Sequence, residues 1–211
     1  GNKTEAMKLF QQALNINYDM VYSILKKAVE RKINYIIAPY EADIQICYLV
    51  KHGFADFAIT EDSDLLVLGC PTMVFKMKLD CKYVDEIKLE NVFSNSENSK
   101  NNSEFSNLTS DDLQKICVLS GCDYLPGGLP GFGLKTAAKI FQDWKKDDLS
   151  NLTWKMIFTM NPKLRQYKTK FYKICISAYY TFKHQIVYCP RAGKRRYFSE
   201  LNDEKSSNIL K

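Results

Sequence analysis

Two pairs of carboxylates, each spaced i and i+2, carry the strongest chemical signal in this chain. They are Glu41 and Asp43 in Ala38-Pro39-Tyr40-Glu41-Ala42-Asp43, and Asp62 and Asp64 in Thr60-Glu61-Asp62-Ser63-Asp64-Leu65-Leu66. Each pair follows a short apolar run, Tyr35-Ile36-Ile37-Ala38 and Phe57-Ala58-Ile59-Thr60, that reads as a buried parallel strand. In open α/β sheets the ligand crevice lies beyond the carboxyl ends of the strands, where these acids would stand. Residues 41–64 hold six acids and one Lys or Arg. So dense a negative charge repels itself unless something positive neutralises it, and a divalent cation held by oxygen ligands is the simplest candidate.

Each pair taken alone has a plainer reading. Glu41 and Asp43 could be first-turn acids favoured by the dipole of a helix starting near Glu41. Asp62-Ser63-Asp64 could be a turn, or the metal-binding D-x-D of a sugar-nucleotide transferase.

A second constellation lies downstream. Ser110-Asp111-Asp112-Leu113 has the pattern of a helix cap, and the helix it opens runs to Leu119-Ser120-Gly121-Cys122-Asp123-Tyr124-Leu125. Pro126-Gly127-Gly128-Leu129-Pro130-Gly131-Phe132-Gly133-Leu134-Lys135 follows and opens another helix. A glycine-rich turn entering a helix exposes unpaired backbone N–H groups, a site for phosphate oxygens. Lys135 in the first turn opposes the helix dipole, which makes sense where a phosphate docks. Helix, glycine hairpin, helix is thus a module that reads a nucleic-acid backbone without base specificity, through Gly131, Gly133 and Lys135, although a Gly-x-Gly alone is equally an ordinary tight turn.

The elements that must position these groups follow from periodicity. Helices are expected over 4–14 (stripe Ala6, Leu9, Phe10, Ala13) and 17–31 (stripe Val21, Ile24, Leu25, Ala28, Val29). Next come strand 34–38, helix 41–52, strand 56–60, a short helix near 62–68, and strands 73–78 and 83–87 as a hairpin. Residues 94–107 are a low-complexity polar insert read as a flexible loop. Helices follow at 110–120, 133–143, 151–159 and 163–185. Strands alternating with helices make this an α/β chain with a mostly parallel sheet. The expected organisation is one domain: an α/β part over 1–93 with the acidic site, the insert at 94–107, and a helical DNA-binding part over 108–211.

At 211 residues and 45% apolar composition the chain can bury a substantial core. It has no apolar run of membrane-spanning length and no visible secretory leader. Starting at Gly1 inside an amphipathic helix, it reads as a piece of a longer protein. Seven cysteines without a C-x-x-C, and only His52 and His184 beside them, argue against structural zinc and for reduced intracellular thiols. The net charge of +6 is unevenly spread: residues 161–199 contain ten Lys or Arg and no Asp or Glu. Part of this is a solvated basic helix with its aromatics turned to the core. The complete lack of acids favours a surface that meets phosphates.

With these motifs in their order, APYEAD, TEDSDLL and LSGCDYLPGGLPGFGLKTA, together with the leading NKTEAMKLFQQALNI, the chain resembles the second half of the nuclease core of the flap endonuclease / xeroderma pigmentosum G family of 5′ nucleases. The resemblance covers nearly everything except the polar insert. It implies a PIN-like α/β core flanked by helices and a helix–two-turn–helix DNA clamp. It places the family's metal-binding, catalytic carboxylates on Glu41, Asp43, Asp62, Asp64 and Asp123. It implies two Mg²⁺ or Mn²⁺ ions, phosphodiester hydrolysis from a 5′ end or at a 5′ flap of duplex DNA, and a nuclear role in DNA repair with mismatch-repair proteins as partners. It also implies a potassium ion at the glycine hairpin, held by main-chain carbonyls near Ser120, Gly128 and Phe132. The family often has a small polar residue where Gly128 stands, so only the backbone ligand carries over.

The resemblance also implies what is missing. The family's N-terminal half, with further aspartates, basic groups for the 5′ phosphate and most of a helical gateway, does not precede Gly1. The fragment alone is therefore expected to fold, to be catalytically incompetent and to self-associate. Two other classes compete with the nuclease. A non-catalytic duplex-DNA-binding module would not need divalent metal at Asp62 and Asp64. A glycosyltransferase would leave Glu41, Asp43, Asp123 and the basic segment unexplained.

Overall fold

The computed structural model describes residues 3–78, 82–94, 105–146, 153–165, 167 and 170–199. They divide into two compact units, one up to Ile37 and one from Ala38 onward. The first consists of helices α1 (Lys3–Ala13) and α2 (Tyr18–Glu30) and an extended segment after them. Asn17 caps α2 by accepting a hydrogen bond from the Met20 N–H at 3.0 Å. The apolar stripes expected on these helices are present, but Leu9, Phe10, Val21, Ile24 and Val29 are exposed and no α2 residue is buried.

The second unit carries the core. In chain order its elements are α3 (Ala42–Lys51), β1 (Ala58–Ile59), α4 (Asp64–Val67), β2 (Thr72–Phe75), β3 (Asp85–Lys88), α5 (Leu89–Phe93), α6 (Ser110–Ser120), α7 (Leu134–Lys146), α8 (Trp154–Met160), α9 (Pro162–Arg165), α10 (Lys170–Lys183), β4 (Ile186–Cys189) and β5 (Lys194–Tyr197). β1 pairs parallel with β2 (Ala58 opposite Met73), and β2 pairs antiparallel with β3 (Met73 opposite Ile87). β4 and β5 form a separate hairpin. Fully buried Ile44 and Cys47 of α3, Leu65, Met73, Ile116, Leu119, Phe141, Ile157 and Val187 join sheet and helices into one core.

The α/β class stands, with two corrections to its detail. Residues 34–38 form no strand: they pair with none among the described residues, and Tyr35, Ile36 and Ile37 are exposed. The sheet of described residues is therefore mixed, one parallel and one antiparallel pair, instead of mostly parallel. An apolar run specifies a strand only when a neighbouring strand accepts its backbone hydrogen bonds. Most of the polar insert, residues 95–104, lies outside the described residues, as do parts of the helices expected over 151–159 and 163–185. The expected helix at 163–185 is read in the structure as α9 and α10.

α6 shows why the sequence holds its shape locally. The Thr109 hydroxyl accepts from the Asp112 N–H at 3.1 Å, and the Asp112 carboxylate accepts from the Thr109 N–H at 2.9 Å. This reciprocal box satisfies two orphan donors of the first turn. At the other end Gly121 takes a positive φ of 114° and stops the helix.

Candidate active site

The five candidate acids come from three segments of the second unit. Glu41 is the N-cap of α3 and Asp43 lies in its first turn. Asp62 and Asp64 follow β1 in a turn built by side chains. The Asp62 N–H donates to Thr60 Oγ1 at 2.8 Å, and the Asp64 N–H donates to Asp62 Oδ1 at 2.9 Å. Glu61 turns the other way and accepts from the Lys76 N–H at 2.9 Å, which takes it out of the cluster. Asp123 is exposed in the turn that leaves α6, where Cys122 and Leu125 bridge each other.

The segments converge electrostatically. Burial raises the Asp43 carboxyl above its ordinary range, and Asp62, Glu41 and Asp123 push it further. Burial likewise raises Asp64, with Asp62, Asp123, Asp43 and Glu41 adding to it. Asp43 and Asp64 therefore both lie in the field of Glu41, Asp62 and Asp123, a crowding that positive charge would relieve. The neighbouring thiols do not join in. Burial pushes Cys117 up to about 12, with Cys122 and Asp64 contributing, so it stays a neutral thiol.

A donor set of carboxylate oxygens fits a hard divalent cation. As the side chains stand, no three acid, histidine or cysteine groups close around one point among the described residues. Some of the oxygens are committed elsewhere. Asp62 Oδ1 holds its own turn, and Glu41 Oε2 accepts from the Tyr124 hydroxyl and, at 3.4 Å, from Gln185 Nε2. Burial first, and then its bond to Glu41, raises the Tyr124 phenol well above its ordinary value, so it is a neutral donor.

The glycine module lies between α6 and α7. The Leu129 N–H donates to Leu119 O at 2.8 Å, folding the loop back onto the end of α6. Gly128 has φ +57°, and a Cβ there would sit 2.4 Å from the Gly121 nitrogen. Ser120 turns its hydroxyl back onto the Ile116 carbonyl at 2.9 Å, and Phe132 is buried. Gly131, with φ +80°, Gly133 and Lys135 are exposed at the entry to α7, and a Cβ at either glycine would meet open space.

Known proteins resemble the chain over this region. The XPG I-region family matches residues 32–123, from just before the first acidic pair to Asp123. The chain is 33% identical over 204 residues to exonuclease 1 of Arabidopsis thaliana, covering 96% of this chain and 26% of that protein. It belongs to the flap endonuclease / XPG family. It is also 32% identical over 193 residues to exodeoxyribonuclease 1 of Schizosaccharomyces pombe, covering 90% of this chain and 31% of that protein. Among solved structures it shares the fold of flap endonuclease-1 from Methanococcus jannaschii, with a TM-score of 0.59, 23% identity, and coverage of 86% of this chain and 49% of that one. The chain thus spans about a quarter of the length of the plant protein of this family.

Two residues of the site were not singled out by sequence reasoning. Tyr124 stands next to Asp123 in the motif, and that adjacency was the available signal. Gln185 is far away in sequence, and nothing in its surroundings points to the acids.

Proposed function

We propose that the protein carrying this chain is a divalent-metal-dependent 5′ nuclease. It hydrolyses DNA phosphodiesters from a 5′ end or at a 5′ flap, in DNA repair in the nucleus. The observation that carries this reading is the convergence of Glu41, Asp43, Asp62, Asp64 and Asp123, from three separate segments, on one field that raises Asp43 and Asp64. These five residues would hold the ions, Mg²⁺ or Mn²⁺. Bound there, the ions would supply an activated water and charge neutralisation at the departing 3′ oxygen.

The chain's own groups do the rest. Asp62 fixes the turn that presents Asp64, through the 2.9 Å bond to its N–H. Gly131 and Gly133 let a phosphate approach the backbone at the start of α7, and Lys135 adds a cation there. The backbone at Ser120, Gly128 and Phe132 is the proposed potassium site. The exposed strand β5, Lys194-Arg195-Arg196-Tyr197, adds a further positive surface for duplex phosphates. Mismatch-repair proteins are the proposed protein partners.

A second reading, a duplex-binding module without catalysis, is favoured by one observation: no three candidate ligands close around a point among the described residues. One assay separates the two. The full-length protein is given end-labelled duplexes with a 5′-recessed end or a 5′ flap, with and without Mg²⁺ or Mn²⁺. The nuclease reading expects cleavage that needs the cation and disappears in Asp62→Ala. Binding without cation-dependent cleavage would replace it with the second reading.

A further inference from the structure

The acidic cluster is tied to the C-terminal part of the chain by side chains that the carboxylate pattern does not include. The Tyr124 hydroxyl donates to Glu41 Oε2, and Gln185 Nε2 donates to the Tyr124 oxygen at 2.5 Å and to Glu41 Oε2 at 3.4 Å. The donors and acceptors fit in one order only. The amide nitrogen has protons only to give, so it gives to the phenol oxygen, and the phenol hydroxyl gives to the Glu41 carboxylate. Gln185 is 4% exposed and its Oε1 has no partner among the described residues. A buried amide normally satisfies both ends, so its Nε2 is placed toward Tyr124 and Glu41 at the expense of its oxygen.

The brace is itself held. Phe182 packs edge-on against the Tyr124 ring with centroids 4.7 Å apart. The Gln185 carbonyl accepts from the Phe198 N–H at 2.8 Å, which anchors it to the end of β5. One helical turn along α3 from Glu41, buried Gln45 accepts from the Tyr188 N–H at 2.7 Å and donates to the Tyr188 carbonyl at 3.0 Å. The start of α3 and the segment 182–188 are therefore locked together at two successive turns.

We infer that Tyr124 and Gln185 are positioning residues for Glu41, fixing which of its oxygens faces the acidic cluster. This rests on the proposed nuclease reading. Oε2 is taken by the brace, so Oε1 is the oxygen left for a cation. Groups that orient a metal-binding carboxylate in this way typically change metal affinity or activity by about 10–100-fold when removed.

The first test needs no metal. In this chain, Tyr124→Phe keeps the ring on Phe182 and removes only the hydroxyl. It is expected to lower Tm by about 2–4 °C with Glu41 present, and by clearly less in a Glu41→Ala background. Additive effects of the two substitutions would overturn the brace. Should Tyr124→Phe fail to fold, Gln185→Met, which removes the amide at similar length, enters the same cycle. The second test uses the full-length protein on a 5′-recessed duplex. Tyr124→Phe is expected to raise the Mg²⁺ concentration for half-maximal cleavage about tenfold, with KM for duplex unchanged. An unchanged Mg²⁺ requirement in Tyr124→Phe, or in Gln185→Met where that variant stands in for it, would overturn the positioning role. If the wild-type protein showed no cation dependence, the nuclease reading would fail, and the cycle would still decide the brace.

Discussion

The Asp64 N–H donates to Asp62 Oδ1 at 2.9 Å, so one acid of the second pair holds the backbone of the other. The two are not interchangeable. Asp62 builds the turn and keeps one oxygen for other work, whereas Asp64 carries a carboxyl raised by burial and then by its acidic neighbours. A raised carboxyl favours the protonated folded state. The Asp64 contribution to stability therefore grows as pH falls from neutral through its raised pKa.

Replacing Asp64 should expose this sign. Asp64→Asn keeps the shape and removes one repelling charge. In the absence of divalent ions the variant is expected to melt higher at pH 7 than wild type, by about 2–4 °C for each kcal/mol of repulsion relieved. The difference should shrink as pH falls toward 5. Thermal melts in chelator at pH 5 and 7 check this. A lower Tm at both values would mean that Asp64 makes a stabilising contact outweighing the repulsion. In the full-length protein the same variant should lose cleavage and keep duplex binding.

Binding should be steeply salt-dependent. Gly131, Gly133 and Lys135 lie exposed at the entry to α7 and present only backbone and a flexible cation, groups suited to phosphates. Lys135→Ala is expected to weaken all duplex sequences alike and to flatten the plot of log affinity against log salt by about one unit. Fluorescence anisotropy on several sequences between about 50 and 200 mM salt measures it. A base preference that vanishes with Lys135 would contradict backbone reading.

Asp111 ties α6 to α10. Its carboxylate accepts from Lys115 Nζ at 2.5 Å, from Lys183 Nζ and from the Tyr179 hydroxyl. Burial opposes its ionisation, but these donors outweigh burial and hold it at about 2, below its ordinary 3.8. Because the folded pKa is the lower one, its stabilisation is complete above about pH 4 and is lost as pH falls toward 2. Asp111→Asn should cost on the order of 1 kcal/mol at pH 7, a modest figure because the group is part-exposed. It should also flatten the acid limb of the stability curve between pH 4 and 2, followed by urea unfolding. An unchanged acid limb would place the anchoring of α10 elsewhere.

Much of this was legible in the sequence. Short-range grammar gave the bounds of α6 but set its cap one residue late, on Ser110, where the box is built by Thr109 and Asp112, since helix ends depend on residues within three or four positions. The crowding of Glu41, Asp43, Asp62 and Asp64 is visible within one segment, whereas Asp123 came only with the family resemblance. What could not be read was pairing between distant parts. Gln185 and Gln45 act through partners more than 140 positions away, at separations of 144 and 143, and an isolated glutamine carries no periodic signal. The β4–β5 hairpin went unread because its Lys194-Arg195-Arg196 run looks like a solvated basic stretch. Residues 34–38 failed in the opposite direction, with a clear strand pattern and no strand beside it among the described residues.

That last mismatch has a measurable consequence. Ile33, Tyr35, Ile36 and Ile37 are all exposed in a run of five residues, and Ile37 is 68% exposed. A mainly apolar stretch that pairs with no strand among the described residues is a template for association with another chain. The chain as given is therefore expected to self-associate with rising concentration and to bind a hydrophobic dye while folded. Ile33→Lys with Ile37→Lys places charges on the run and should shift the population toward monomer with little change in Tm. Light scattering across a tenfold concentration range, with the double variant beside the wild type, reads this out. Equal association by both proteins would clear this segment and leave the exposed apolar stripes of α1 and α2 as the sticky surface.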